Sequence, residues 1–186
     1  GGTITSDGGA TITTRGVVWG TTTGSSTFSA TSGTGTGSYV SNLSGLTPAT
    51  TYYVRAFATN SVGTVYGTET SFTTSAGPAS NAMITTEPSG AAAGTAFTIQ
   101  PVVRITDASG NTVTTSTVNV VASIASGTGT LSGTTTVAAV NGIATFTDLV
   151  LSGATGNFTL AFTPTSLAAA TSSSFALGVG TASKAM

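Results

Sequence analysis

The chain has 186 residues, enough for one large domain or two of about 100 residues each. Only 5% of its residues are charged, against roughly 25% in an ordinary soluble domain, and the formal net charge is −1. This charge excludes long-range attraction of nucleic acid, and the absence of any apolar run near the ~18 residues of a membrane span argues against membrane insertion.

The first 75 residues read as short strands separated by turns, because Thr favours half-buried pleated surfaces and Gly favours tight turns. One segment alternates clearly: Tyr52, Val54, Ala56 and Ala58 fall on one face of a predicted strand. The predicted strands are 17–19, 39–43, 52–59 and 65–72, with a glycine-rich loop at 32–37 and a turn at 60–63.

A corner motif precedes the alternating strand. Leu46, Pro48 and Tyr52 stand at the spacing of the corner-plus-strand signature of fibronectin type III domains, which the segment 46–56 resembles. The longer stretch from 15 to 74 looks like the fibronectin-like repeats of large bacterial surface proteins. This resemblance implies a β-sandwich in which the Tyr52 hydroxyl bonds back to the backbone at the corner.

The resemblance also implies that the first domain is short of its leading strand. The family has a first strand, and the start of a second, before the point where Gly1–Thr5 falls. A sandwich without an edge strand exposes apolar core and unpaired backbone, which invites another chain. A fragment of a longer repeat protein, with the first strand lying outside residues 1–186, is the alternative interpretation.

A Gly-Pro pair within the linker 75–78 separates a second β unit from the first. Asp107, Gly110 and Asn111 predict a turn, since Asp and Asn bond to nearby backbone and Gly supplies positive φ. The predicted strands are 97–105, 118–124, 135–140, 142–149, 158–162 and 174–177, with a loop at 127–131.

This second unit resembles the bacterial Ig-like domains of the intimin and invasin type over nearly its whole length. The residues that carry the resemblance are Val103, Ile105, Asp107, Gly110, Asn111, Val113, Gly129, Leu131, Gly142, Ala144, Phe146 and Leu149. Domains of this family serve as rigid spacers in adhesin stalks, so the resemblance implies a structural role at a bacterial cell surface.

The residue types of catalysis are scarce. There is no Cys and no His, so thiolate chemistry, Cys-based metal sites and imidazole bases are excluded. The five carboxylates form no D-x-D cluster, and Asp107 is expected to accept backbone hydrogen bonds within its turn. We therefore expect no enzyme activity, no cofactor and no metal site.

The last seven residues repeat an earlier segment. Gly180–Met186 matches Gly77–Met83 at five of seven positions, about one Ig-sized domain apart. The segment 180–186 is thus either the start of a next repeat or a donor strand for a neighbouring subunit. The candidate donor residues are Ala182, Ser183, Lys184, Ala185 and Met186.

Together these features predict an all-β chain of two tandem Ig-like β-sandwiches. A fibronectin type III-like domain covers 1–75, and a bacterial Ig-like domain covers 76–179. The predicted function is a secreted or cell-surface bacterial structural protein or filament, whose repeats associate head-to-tail by strand addition with copies of itself or neighbouring repeats.

The main alternative function is a stalk or binding module of an adhesin or carbohydrate-active protein, monomeric in isolation. In that case surface glycans are the partner, and Trp19 with Tyr39, Tyr53 and Phe57 is the candidate aromatic platform for sugar. Packing of these rings within the core and across strands is the favoured interpretation.

Overall fold

The computed structural model describes residues 1–180, and every regular element in that range is a β-strand. The chain divides into two units, Gly1–Ser75 and Ala76–Met186, each with its own hydrophobic core. The predicted all-β class of Ig-like sandwiches is confirmed. The candidate donor strand, 182–186, lies outside the described residues.

The first unit packs a two-stranded sheet on a five-stranded sheet. Its strands are β1 (Gly2–Ile4), β2 (Thr14–Gly20), β3 (Phe28–Thr31), β4 (Gly37–Tyr39), β5 (Thr51–Thr59), β6 (Thr64–Tyr66) and β7 (Thr70–Thr73). The small sheet pairs β1 with β4, and the large sheet has the order β3-β2-β5, with β6 and β7 both paired to β5. All of these pairs are antiparallel.

The core of this unit comes from alternate positions of its central strands. Val17 and Trp19 of β2 and Tyr52 of β5 lie on the large sheet and pack with Tyr39 of β4, and all four are buried. The aromatic rings supply most of the apolar area of a small core, since Tyr and Trp bury large surfaces. This cluster joins the two sheets of the unit.

The second unit contains one five-stranded and two three-stranded sheets around a larger core. Its strands are β8 (Asn81–Thr86), β9 (Thr95–Ala96), β10 (Val102–Thr106), β11 (Asn119–Ser126), β12 (Gly129–Ser132), β13 (Thr136–Ala138), β14 (Ile143–Thr145), β15 (Val150–Gly153), β16 (Gly156–Pro164), β17 (Ala170–Thr171) and β18 (Phe175–Leu177). The sheet orders are β14-β10-β8, β12-β15-β9 and β13-β11-β16, and both β17 and β18 pair with β16.

Strand β16 shows why this unit holds together. Phe158, Leu160 and Phe162 stand at alternate positions and are at most 2% exposed, as the period of two requires for a face turned to the core. Burial of each such side chain stabilises the fold by about 1.5–3 kcal/mol. Val120 and Ala122 of the neighbouring β11 extend the same cluster.

Hydroxyl pairs, rather than ion pairs, link neighbouring segments at several exposed or half-buried positions. Each pair has its two oxygens within 3.0 Å: Thr3–Ser38, Ser32–Ser41, Thr51–Thr73, Thr59–Thr64 and Ser126–Thr159. Cross-strand Thr and Ser pairs of this kind stabilise a sheet modestly without charge. These pairs show how a chain rich in Thr and poor in charge stabilises its sheets.

The predicted strand over 52–59 is confirmed as β5, but other predicted strands of the first unit have wrong bounds. The strand predicted at 39–43 is β4, which ends at Tyr39. The strand predicted at 65–72 divides into β6 and β7, because the chain leaves the ladder after Gly67, whose N–H still donates to the Ala56 carbonyl. The strands β1 and β3 were not predicted.

In the second unit, the strand predicted at 97–105 is interrupted where the chain passes from one sheet to another. Pro101 has no N–H to donate, and the side chain of Gln100 bonds instead to the N–H and carbonyl of Leu149. The loop predicted at 127–131 is wrong as well, since β12 begins at Gly129. The strand predicted at 142–149 ends at Thr145.

Candidate functional site

A cleft opens between the two sheets of the first unit. Its volume is 350 Å³, and we call it the β1 cleft. One wall is β1 with the loop that follows it, and the other is the end of β5 with β6. The lining residues are Thr3, Ile4, Thr5, Ser6, Asp7, Gly8, Ile12, Tyr39, Ala56, Phe57, Ala58, Asn60, Gly63, Val65, Tyr66 and Gly67.

Strand β1 is paired on one side only. Its three residues pair with β4, so that Gly2 lies opposite Tyr39 and Ile4 lies opposite Gly37. No other strand among the described residues pairs with β1. The N–H and C=O groups of its free edge are therefore available to a further strand.

The inner faces of β5 and β6 leave an apolar surface uncovered. Val65 lies directly opposite Ala58 in the β5–β6 ladder, so both side chains point to the same face of the sheet. Ala58 is 6% exposed, whereas Val65 is 68% exposed. Small side chains at Ala56 and Ala58 also leave room above this wall. Val65 thus points into the space between the sheets but has little packed over it.

Asn60 fixes the far end of the cleft. Its side-chain amide donates to the Asp7 carbonyl at 3.0 Å and the Ala10 carbonyl at 3.4 Å. Its side-chain oxygen accepts from the N–H groups of Val62 and Gly63. One side chain therefore connects the loop after β1 to the β5–β6 turn, and this connection fixes the distance between the two walls.

Tyr39 forms part of the floor and links the two sheets. Its hydroxyl donates to the Gly16 carbonyl of β2 at 2.6 Å, and the Arg15 guanidinium lies 5.1 Å from the centre of its ring. Arg15 is itself held by the carbonyls of Ser32, Gly35 and Thr36. Burial raises the pKa of the Tyr39 phenol above its ordinary value of 10.0, and Arg15 offsets part of that rise.

The structure places the three corner residues as follows. Leu46 and Pro48 are half-buried in the segment before β5, and Tyr52 is its second residue and is 3% exposed. The Tyr52 hydroxyl accepts a hydrogen bond from the Thr47 N–H at 3.0 Å. Hydrogen bonding from Thr47 lowers the pKa of Tyr52 below its ordinary value.

The three turn residues of the second unit lie together around one carboxylate. Asp107 is 2% exposed and accepts four hydrogen bonds, from the N–H groups of Gly77, Ser109 and Asn111 and from the Asn111 side chain. Gly110 donates its N–H to the Asp107 carbonyl. Burial by itself raises the pKa of this carboxyl, but the four hydrogen bonds outweigh it and hold the pKa below its ordinary value.

The four rings of the candidate sugar platform do not form one surface. Trp19 and Tyr39 are buried in the core, where Trp19 stacks on Phe28 with ring centres 5.8 Å apart. Tyr53 and Phe57 occupy the alternate positions of β5 and so face away from that core. The platform prediction is therefore wrong as a single site.

Among the described residues there is no group of three or more Asp, Glu, His or Cys side chains that would suit a metal ion. The part of the chain that the structure describes also contains no helix with the length and hydropathy to cross a membrane. The chemistry that the β1 cleft offers is main-chain hydrogen bonding beside an apolar wall. The sequence did not reveal this site, because the exposure of Val65 depends on what lies opposite it.

Comparison with known proteins assigns no family. No protein-family model and no curated protein matches the chain. Among solved structures, the D00-D0 domain of intimin is 18% identical over 87% of this chain and 83% of its own length, with a TM-score of 0.47. A glycosyl hydrolase family 2 member from Bacteroides cellulosilyticus is 15% identical over 89% of this chain, with a TM-score of 0.46.

A β-glycosidase from Bacteroides vulgatus is 16% identical over 90% of this chain, with a TM-score of 0.45. The chain spans only 22% and 21% of the length of these two glycosidases. At these identities and TM-scores the similarities carry no functional information, so the function has to be argued from the residues of the chain itself.

Proposed function

We propose that this chain is a non-enzymatic structural module of an extracellular bacterial protein, and that its first unit accepts a β-strand from a second copy in the β1 cleft. The observation that carries the proposal is Val65, a side chain that points between the sheets and yet is 68% exposed. It lies across the cleft from the unpaired edge of β1. A strand added to that edge covers Val65.

The second unit supplies an internal comparison, because its first strand is paired on both sides. Strand β8 pairs with β10 on one side, and on the other it exchanges hydrogen bonds with Ala168. The N–H of Ala82 donates to the Ala168 carbonyl at 2.8 Å, and the N–H of Ala168 donates to the Ser80 carbonyl at 2.9 Å. The same chain thus closes one sandwich around its first strand, whereas β1 of the other sandwich keeps a free edge.

The energetics favour a strand as the occupant. Each main-chain hydrogen bond that an added strand makes contributes about 0.5–1.5 kcal/mol net, and covering the exposed part of Val65 adds about 1–2 kcal/mol. Alternate side chains of such a strand point into the space between the sheets. Main-chain bonds then provide affinity and the pocket provides specificity, as in other cases of strand addition.

The proposed donor is the segment Ala182–Met186 of a neighbouring copy. It belongs to the repeat of Gly77–Met83, and Asn81–Met83 form the first half of β8 in the second unit. Three of the five donor positions, 184–186, therefore align with residues that form a paired strand in this fold, with Lys184 in place of Asn81. Donation from segment 182–186 of one copy to the β1 cleft of the next is a heterologous contact, which propagates into fibres instead of closing into a dimer.

The test compares the full chain with a chain truncated after Gly180, by amide hydrogen exchange of residues 2–8 over a concentration series. The matched control is Ser183→Pro in the full chain, because Pro removes a main-chain donor from the added strand. Pairing with β4 already protects part of residues 2–4 in every chain. We expect additional protection within residues 2–8 in the full chain at high concentration, and expect it to be absent from both the truncated and the Ser183→Pro chains.

Equal exchange at residues 2–8 in all three chains, with the full chain monomeric throughout, would overturn the proposal. That result favours the alternative function, a stalk or binding module that is monomeric in isolation. Protection in the full chain that survives both changes would show that a segment other than 182–186 covers the β1 edge.

A further inference from the structure

The β1 cleft contains one charged side chain, and one of its two carboxylate oxygens accepts no hydrogen bond from the described residues. Asp7 is the one ionisable acid or base among the described residues that line the cleft, apart from the Tyr39 and Tyr66 phenols. Its Oδ1 accepts the Gly9 N–H at 3.0 Å, whereas its Oδ2 has no hydrogen-bond partner among the described residues. Asn60 fixes the backbone of Asp7 by bonding to its carbonyl. A half-buried carboxylate in this position suits a cationic partner.

The three arginines of the chain lie outside the lining of the cleft, each in contact with residues of its own unit. Arg15 donates to carbonyls of the loop before β4, and Arg55 donates to the Gly24 carbonyl while lying 4.2 Å from the centre of the Tyr66 ring. Arg104 lies 3.7 Å from the Met83 sulfur. The remaining cationic side chain in the sequence is Lys184, its only lysine, at the centre of the proposed donor segment.

We infer that Lys184 of one copy forms an ion pair with Asp7 of the next, and that this pair sets the register of the added strand. The inference rests on the proposed function, since it specifies the contact made by the proposed donor. Lysine suits the role because its ammonium is a compact charge on a long flexible stem. The stem passes over the apolar wall while the charge reaches the carboxylate.

The donor needs a contact that fixes its register, because its small residues pack about equally well in several registers. Ala182, Ser183 and Ala185 are small, so a slipped strand leaves them nearly as well packed. A slip by one residue turns every side chain to the opposite face of the sheet. A single charged or polar position that is satisfied in one register only is a known means of fixing alignment.

The test is a charge exchange in the full chain. Four proteins are compared by sedimentation velocity: the wild type, Asp7→Lys, Lys184→Glu, and the double variant Asp7→Lys/Lys184→Glu. A fifth protein, Glu87→Lys, carries the same change in net charge as Asp7→Lys, but in the second unit. Each is measured at low and at high salt, because a partly exposed ion pair weakens as salt screens it.

We expect each single cleft variant to weaken association about tenfold at low salt, through loss of the pair and like-charge repulsion. We expect the double variant to return to within about threefold of the wild type, and Glu87→Lys to associate like the wild type. A mere folding defect of Asp7→Lys is not repaired by Lys184→Glu, so recovery in the double variant reports the pair itself.

Two results would overturn the inference: single variants that associate as strongly as the wild type, or a double variant no stronger than the weaker single. The proposed function fails separately, when the wild type itself does not associate or when truncation after Gly180 leaves association unchanged. Association that requires residues 181–186 but ignores both charges would retain strand addition and reject only the ion pair.

Discussion

Two glycines of the second unit differ in the space around them and provide a quantitative test of the fold. Both have positive φ, 84° at Gly110 and 76° at Gly142. A Cβ added at Gly110 meets no atom within 4 Å, whereas one added at Gly142 lies 2.5 Å from the Val113 carbonyl oxygen. We predict that Gly142→Ala destabilises the second unit far more than Gly110→Ala.

The magnitudes follow from these contacts. Gly110→Ala costs about 1–2 kcal/mol, the usual penalty for a side chain in the left-handed region. Gly142→Ala carries the same penalty and also forces Val113 away by roughly 1 Å, an overpacking cost of about 1–3 kcal/mol. That movement disturbs the bonds from the Val113 N–H to the Ile105 carbonyl and from the Ile105 N–H to the Gly142 carbonyl. We therefore expect a difference of about 2–3 kcal/mol between the two variants.

Urea unfolding followed by circular dichroism measures both units, and tryptophan fluorescence provides an internal control. The only Trp and all four Tyr residues lie in the first unit, so their emission does not report on the second. Both variants should leave the fluorescence transition unchanged. Free energies of unfolding that agree within about 0.5 kcal/mol would refute the close approach of Gly142 to Val113.

Three further predictions concern a hydroxyl, a carboxylate and a core ring. Tyr39→Phe should lower the stability of the first unit by about 1 kcal/mol, measured by fluorescence-detected urea unfolding, because it removes the bond to the Gly16 carbonyl; no change would mean that this bond adds nothing. Asp107→Asn should unfold at lower urea than the wild type at neutral pH. Because folding lowers the pKa of Asp107, its ionised carboxylate contributes to the free energy of unfolding above about pH 3.9, and this contribution is lost as the pH falls through the folded pKa. The urea midpoints of the two proteins should therefore converge in acid; a constant difference in urea midpoint would contradict this. Phe146→Ala should cost about 3–5 kcal/mol by circular dichroism, since the ring is 1% exposed and packs on Phe162; a loss below about 1 kcal/mol would contradict that packing.

The sequence predicted those elements whose pattern is local. Strand β5 was found because Tyr52, Val54, Ala56 and Ala58 alternate with their neighbours over the whole strand. The all-β class followed from the Thr- and Gly-rich composition in the same way. Such signals lie within one strand and require no knowledge of the strands beside it.

Features that depend on distant partners were not predictable. The strand bounds around Pro101 fail because the Gln100 side chain replaces backbone pairing with Leu149, which is 49 residues away. The β1 cleft was missed for a related reason. Nothing in the residues around Val65 indicates that this inward-facing position lacks a covering strand, since that depends on β1.

Electron microscopy combined with light scattering, on the full chain and on the chain truncated after Gly180, tests strand addition itself. We expect head-to-tail fibres or oligomers that lengthen with concentration in the full chain, and single particles after truncation. Single particles in both samples, with the mass of one chain at every concentration, would contradict strand addition as the function of the β1 cleft.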